Sequence, residues 1–79
     1  MASTLERVQR IIVDRMALDA ATVVPEAKLR EDLKVDSLYL VELLNDLEDE
    51  FGFTIADEDT KGVETVADVV AMVESKLGA

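Results

Sequence analysis

Asp36 and Ser37 stand where a predicted helix begins and carry side chains that can do chemistry there. Both residue types are good N-caps, because a side-chain oxygen can accept a free backbone N–H of the first turn. One of them is expected to cap the helix, and the sequence leaves open which. If Asp36 is the cap, the Ser37 hydroxyl lies beside free N–H groups and the positive end of the helix dipole, which favour a phosphate. The same geometry suits simple phosphorylation, so it does not identify the modification.

The sequence contains no histidine and no cysteine. Their absence removes the commonest general base, the commonest metal ligand and every thiol nucleophile. Ser37 therefore has no histidine to activate it, and the Gly-x-Ser-x-Gly pattern of serine hydrolases is absent. We expect a serine that another enzyme acts upon, in a chain that is not an enzyme by itself.

The elements that must position this serine begin with a helix predicted over residues 3–16, where Ser3 followed by Glu6 forms a capping-box pattern. Its apolar residues follow the spacing of one helical face: Leu5, Val8, Ile12 and Met16. Residues 17–36 contain Pro25 and no sustained period, which predicts a loop of about 20 residues, longer than the usual median of about 4–6. Such a loop must be pinned or functional. The predicted pins are Val23, Val24, Leu29 and Leu33.

The clearest helical pattern covers residues 37–50. One face carries leucines and continues to Phe51, the other carries mainly carboxylates, and Gly52 ends the helix. The apolar stripe consists of Leu40, Leu43, Leu44 and Leu47, and the acids away from it are Glu42, Asp46, Asp49 and Glu50.

The last part of the chain predicts one further main helix, which begins at Thr65 with Asp68 three residues later. Its apolar face consists of Val66, Val69, Val70, Val73 and Leu77. Before it, residues 53–55 favour an extended loop, and residues 57–61 suffice for a turn or one short helix. The predicted fold is a single all-α domain over residues 1–79, a small bundle of three main helices plus a short fourth, with a long loop between the first two.

Charge is distributed unevenly along the chain. Eight basic residues face 18 acidic ones, for a net charge of −10, and residues 35–60 hold nine acids and no base. Such a field attracts partners rich in Lys and Arg and repels nucleic acid and anionic membranes, although an acidic run can also be a merely solvated surface. The N-terminus has no basic region followed by an apolar run, and no stretch is apolar enough to span a membrane, so we expect a soluble, cytosolic protein. We also expect it to be a monomer.

Several stretches of the sequence resemble acyl carrier proteins, whose attachment motif is Asp-Ser-Leu after a leucine-containing loop. The likeness also includes the size, the acidity, the long first loop and the order of the helices. The residues that carry it are Leu29-Arg30-Glu31-Asp32-Leu33-Lys34-Val35-Asp36-Ser37-Leu38, Val41-Glu42-Leu43, Leu47-Glu48-Asp49-Glu50-Phe51, Ile55-Ala56-Asp57-Glu58-Asp59 and Thr65-Val66-Ala67-Asp68-Val69-Val70.

This resemblance implies a covalent cofactor on Ser37, with Asp36 and Leu38 completing the attachment motif. In the family, a phosphopantetheinyl transferase uses coenzyme A and Mg²⁺ to place 4′-phosphopantetheine on the serine hydroxyl. The terminal thiol of that arm holds acyl groups as thioesters, which is compatible with a chain that has no thiol of its own. The expected function is the delivery of acyl intermediates to partner enzymes, most simply in fatty acid biosynthesis.

The resemblance also implies a docking surface on the acidic helix. Glu42, Glu48 and Asp49 match positions of the family's recognition helix, which meets basic patches of synthases, reductases, acyltransferases and the transferase. Salt-sensitive contacts suit a carrier that must leave each partner. By the same likeness, the helices are expected to part slightly and shelter an acyl chain.

Two positions beside the serine depart from the family's pattern. Lys34 stands where many fatty-acid carriers have glycine, and Tyr39 stands where an acidic residue commonly follows Ser-Leu. These departures put the pathway in question, and a carrier dedicated to a polyketide or another specialised acyl product is an alternative.

Two further interpretations come from other classes. Residues 57–68 resemble an EF-hand loop, but Lys61 replaces an oxygen ligand and Asp68 is short for the usual bidentate Glu, which argues against calcium. The other alternative is an acidic helical adaptor that binds a basic partner without covalent chemistry. Modification of Ser37 distinguishes a carrier from an adaptor.

Overall fold

The computed structural model describes residues 2–78, which form three α-helices and two 3₁₀ turns. The helices are α1 (Thr4–Met16), α2 (Ser37–Phe51) and α3 (Val66–Leu77). The 3₁₀ turns are Ala20–Thr22 and Asp57–Thr60. Across residues 2–78 there is no β-strand, only an isolated bridge between Lys28 and Thr65. The predicted all-α bundle is confirmed, and the Asp57–Thr60 turn is its short fourth helix.

Each α-helix begins at a side-chain cap that its own sequence supplies. Ser3 and Glu6 form the predicted capping box of α1, and Thr65 and Asp68 form another at α3. In both boxes two otherwise free backbone N–H groups gain acceptors, which stabilises the first turn.

Within residues 2–78, thirteen residues form the core, and α1 packs against both other helices. Val8 and Ile12 of α1 are fully enclosed, as are Leu47 of α2 and Val73 of α3. The remaining core residues are Val23, Ala27, Leu29, Leu33, Val35, Leu43, Val66, Val69 and Met72. Because the core is assembled from aliphatic side chains of three helices and a loop, the loop is part of the packing.

The long loop between α1 and α2 is pinned by side chains and by backbone. Three of its four predicted pins are buried, but Val24 is 39% exposed, so the prediction was wrong for that residue. Val23 takes the inward position, and its neighbour therefore faces solvent. Two buried pins were not predicted: Ala27 and Val35.

Backbone hydrogen bonds tie this loop to the segment that leads into α3. The Leu29 N–H donates to the Glu64 carbonyl at 2.8 Å, and the Val66 N–H donates to the Ala27 carbonyl at 3.0 Å. The loop has no regular secondary structure to pair its backbone groups, so these bonds give them partners. They hold residues 27–29 of the loop against the segment that begins α3. None of the helices in residues 2–78 has the length and apolar character that a membrane span requires.

Candidate functional site

The start of α2 decides between the two possible N-caps. The Tyr39 N–H donates to Asp36 Oδ1 at 3.0 Å, and the Leu40 N–H donates to the Asp36 carbonyl at 2.8 Å. Asp36 is therefore the N-cap, and Ser37 is the first residue of the helix. The Ser37 side chain is exposed and is not used for capping. Its hydroxyl is available to a modifying enzyme.

The residues before Ser37 hold it in place. Val35 is 1% exposed and anchors the chain in the core, and its N–H donates to the Leu29 carbonyl at 2.8 Å. Lys34, one residue earlier, has φ = 59°, which is the left-handed region that favours glycine. This backbone explains physically why glycine suits the position, and Lys34 occupies it at a conformational cost.

Ser37 borders an open cavity of about 390 Å³. Two cations and the end of the loop complete its lining: Arg30, Lys34, Val35 and Asp36. In residues 2–78 neither Arg30 nor Lys34 forms an ion pair. The first turn of a helix also leaves backbone N–H groups without intrahelical acceptors. An anion attached to Ser37 would therefore meet positive charge.

A second, more enclosed cavity of about 270 Å³ adjoins the first. Arg30 and Val35 line both cavities and form the boundary between them. The other lining residues of the second cavity are Lys28, Leu29, Glu31, Leu40, Val63 and Glu64. Its lining combines four apolar and four charged residues, and small-molecule pockets likewise join apolar surface to a few polar groups.

Apolar side chains are exposed directly beyond Ser37. Leu38 is 68% exposed and Val41, one turn later, is 56% exposed. Tyr39 is 40% exposed between them. Exposed aliphatic side chains close together on one helix are typical of a contact surface.

Of the three predicted docking acids, Glu42 and Glu48 are engaged within the chain. Arg15 of α1 donates from Nη1 to Glu42 Oε2 at 2.9 Å, and the Ile55 N–H donates to Glu48 Oε2 at 2.6 Å. Asp49 is exposed and has no ion pair within residues 2–78. The structure thus brings the three acids onto one helix but leaves the charge of Asp49 the most available.

Other acids of α2 are neutralised by arginines of α1. Arg15 binds Asp46 through two hydrogen bonds, of 2.7 and 2.8 Å, and these bonds lower the pKa of the Asp46 carboxyl and raise the pKa of Arg15. Arg7 binds Glu50 at 2.9 Å and lies over the Phe51 ring at 4.3 Å from its centroid. These contacts join α1 to α2 and remove part of the negative field that the sequence suggests.

The carboxylates of the EF-hand-like segment also serve the fold. Asp59 pairs with Lys76 at 2.6 Å, a bond that lowers the pKa of Asp59. Asp68 accepts the N–H groups of Glu64 and Thr65, which lower its pKa in the same way. Within residues 2–78, no three His, Cys, Asp or Glu side chains are grouped so as to hold a metal ion.

Arg30 is a site residue that the motifs did not indicate. It lies seven positions before Ser37 and belongs to no pattern of helical spacing, so its proximity to the serine depends on the path of the loop. The only signal in the sequence was the presence of two bases at positions 30 and 34, immediately before a segment that has none.

Comparison with known proteins agrees with this geometry. The protein-family model described as the phosphopantetheine attachment site matches residues 6–73 of this chain. A Mycobacterium tuberculosis protein assigned as an acyl carrier protein superposes with a TM-score of 0.85 at 32% identity, over 92% of this chain and 97% of that one. The acyl carrier protein of Enterococcus faecalis superposes with a TM-score of 0.75 at 36% identity, over 92% of each chain.

The fold and the matched attachment site define a phosphopantetheine-dependent carrier domain. This chain belongs to the acyl carrier protein family, and its cofactor is covalently bound 4′-phosphopantetheine. The start of α2 fits that group, because an exposed hydroxyl lies beside a cavity with two cations, and the cofactor's link to a serine is an anionic phosphodiester.

Proposed function

We propose that Ser37 is the attachment residue and that the protein carries acyl intermediates to partner enzymes of fatty acid biosynthesis. The supporting observation is that the Ser37 hydroxyl is exposed and uncommitted at the capped start of α2, inside the matched region. Asp36 positions it by capping the helix, and Leu38 offers an exposed apolar side chain next to it. The cofactor supplies a thiol on a long arm, which the chain itself lacks.

Attachment requires a phosphopantetheinyl transferase. A bond forms between Ser37 Oγ and the phosphorus of the phosphopantetheine, while the pyrophosphate bond of coenzyme A breaks, adenosine 3′,5′-bisphosphate leaves and the hydroxyl loses its proton. The chain has no histidine, and Asp36 already accepts a backbone N–H. We therefore expect the base and the Mg²⁺ to be bound by the transferase.

Partner enzymes dock, in this proposal, on the exposed side of α2. Leu38 and Val41 supply apolar contact, and Asp49 supplies a carboxylate that no cation of residues 2–78 neutralises. Glu42 and Glu48 contribute charge while they keep their contacts with Arg15 and Ile55. Such a surface suits basic patches on synthases, reductases, acyltransferases and the transferase. In this proposal the carrier meets these partners as a cytoplasmic monomer.

The second cavity offers a place for the acyl chain. Its volume of about 270 Å³ is slightly below the roughly 300–1,000 Å³ of typical ligand pockets, so a long chain requires it to widen. Leu40 of α2 and Val63 of the loop before α3 both line this cavity. A small separation of α2 from this loop would enlarge the cavity.

The direct test is intact-mass spectrometry of the apo protein after incubation with coenzyme A, Mg²⁺ and a broad-specificity transferase. We expect one phosphopantetheine to be added to the native chain and none to Ser37→Ala. Ser75→Ala is the matched control, because Ser75 is an exposed serine on α3, and it should be modified like the native chain. An unmodified native chain would instead favour the acidic adaptor.

A specialised acyl pathway is a second candidate, favoured by the exposed Tyr39 and Lys34 on either side of Ser37. Both replace residues typical of fatty-acid carriers at the point where a partner meets the arm. Mass spectrometry of the carrier isolated from its native cell distinguishes the two. Saturated and β-hydroxy fatty acyl groups would support fatty acid biosynthesis, whereas polyketide intermediates would support the alternative.

A further inference from the structure

The surface around Ser37 has a local charge opposite to that of the molecule. The net charge is −10, and residues 35–60 contain no base. Yet the cavity beside the serine is lined by Arg30 and Lys34, with Asp36 as its one acid. Asp36 is committed to the Tyr39 N–H. The two cations outnumber this carboxylate, so the side-chain charge that lines the cavity is positive.

Most other cations of the chain are already engaged. Of its eight Lys and Arg residues, four form ion pairs within residues 2–78: Arg7, Arg15, Lys28 and Lys76. Four have none within that range, and two of these four line the cavity of Ser37. Many carboxylates are available in so acidic a chain, and a cation that pairs with none of them retains its charge for an external anion.

Within residues 2–78, most N–H donors of Arg30 and Lys34 are also free of hydrogen bonds. Arg30 has five N–H donors, and none of them appears in a hydrogen bond of residues 2–78. Lys34 donates one hydrogen bond from Nζ to the Glu31 carbonyl at 3.1 Å and keeps two donors. That bond holds the ammonium group along the loop, so part of the entropy cost of fixing a lysine side chain is already met.

We infer that Arg30 and Lys34 form a cationic cradle for the phosphodiester that links the arm to Ser37. The inference rests on the proposed function, since it needs the arm to be on this serine. Arg30 suits the non-bridging oxygens because its planar donors match a phosphate, and Lys34 adds a point charge. Arg30 also borders the second cavity, so an arm held there starts next to the space proposed for its acyl chain.

The test compares three holo proteins by phosphorus NMR: the native chain, R30Q/K34Q and R10Q/K61Q. The last is a matched control, because Arg10 and Lys61 are also without ion pairs in residues 2–78 and lie outside this cavity. In each case the same protein unfolded in urea gives the phosphorus shift of an unbound phosphodiester. Intact mass first establishes that each protein carries one arm.

We expect the folded native protein to show a phosphorus shift displaced from its unfolded value, and the Arg30 Nε–H signal to move on conversion from apo to holo. The displacement should be largely lost in R30Q/K34Q, retained in R10Q/K61Q and reduced by added salt. If circular dichroism finds the double variant misfolded, R30Q alone gives the same comparison with the Lys34 hydrogen bond intact.

Equal displacement in the native protein and R30Q/K34Q would overturn the cradle. So would slower modification of R30Q/K34Q without any change in phosphorus shift, which would assign the two cations to contact with the transferase. Both results leave Ser37 as the attachment residue. Absence of any mass gain in the native chain would overturn the proposed function as well.

Discussion

At the scale of single residues, the loop before Ser37 combines a backbone strain with a useful charge. Lys34 adopts φ = 59°, which costs a non-glycine residue roughly 1–2 kcal/mol. A glycine there would relax the backbone but would remove the ammonium group that lines the cavity of Ser37. The lysine is thus a departure from the family's pattern that exchanges some stability for charge beside the attachment point.

Lys34→Gly should therefore make the apo protein more stable, by about 1 kcal/mol, because glycine adopts this conformation without a steric penalty. Chemical denaturation followed by circular dichroism measures the change. Lys61→Gly is the matched control, since Lys61 has φ = −66° and the same substitution there should lower stability. A loss of stability in Lys34→Gly equal to that in Lys61→Gly would mean that the left-handed backbone carries no cost.

At the scale of elements, the start of α2 depends on one side chain. The Asp36 carboxylate accepts the Tyr39 N–H, and its removal should cost about 1 kcal/mol. Asp36→Ala is expected to lower the unfolding free energy by that amount, whereas Asp36→Asn should keep most of it, because asparagine caps equally well. Ser37→Ala should have little effect on stability. If Ser37→Ala were the more destabilising substitution, the assignment of the cap would be wrong.

The contact between α1 and α2 should make stability depend on pH. Hydrogen bonds from Arg15 hold the pKa of Asp46 below its ordinary value of about 3.9, so the contribution of the pair is complete above that value and is lost as the pH falls through the lowered pKa. Asp46→Asn should cost up to about 1 kcal/mol near neutral pH, since the pair is partly exposed. The difference from the native chain should disappear in acid.

The matched control for this pH dependence is Asp49→Asn, which removes the same charge from α2 without breaking an ion pair of residues 2–78. This variant measures how much the unfolding free energy changes when one negative charge is removed from a chain of net charge −10, because the repulsion between carboxylates is then weaker. Urea denaturation across the acid range measures the unfolding free energies of the native chain, Asp46→Asn and Asp49→Asn. Equal curves for Asp46→Asn and Asp49→Asn would show that the Arg15 pair contributes nothing.

The helices were predictable from the sequence because their signals are local. Capping boxes at Ser3 and Thr65, the leucine stripe of α2 and the glycine that ends it all lie within a few residues of the structure they specify. The pairing of the loop with the segment before α3 was not predictable, because it consists of backbone hydrogen bonds such as that from Leu29 to Glu64, which leave no side-chain pattern.

At the scale of the whole molecule, the fold redistributes the charge that the sequence displays. The sequence places nine acids and no base in residues 35–60, but the packing of α1 against α2 places Arg7 and Arg15 on three of these carboxylates. Such pairs require the relative orientation of two helices, which periodicity does not provide. The candidate attachment serine was predictable from its local motif, whereas the presence of Arg30 beside it depends on the path of the loop.

The redistribution of charge predicts which acid matters most for docking. Asp49→Lys should weaken binding to the transferase by about fivefold at low salt and much less at high salt, since a rim charge contributes roughly 1 kcal/mol and is screened. Glu74→Lys on α3 is the control with the same change of charge, and it should bind like the native chain. Binding is measured by surface plasmon resonance. Equal weakening by both substitutions would mean that the transferase responds to the net charge of the chain and not to a docking surface on α2.

The most direct measurement of the central claim is fragment mapping of the modified protein by tandem mass spectrometry. The chain has three serines, of which Ser3 caps α1 and Ser75 lies within α3. We predict that all of the added phosphopantetheine is found on the fragment that contains Ser37 and that the fragment ion series places it on that residue. Modification of Ser3 or Ser75, or a Ser37 fragment of unchanged mass, would contradict the assignment.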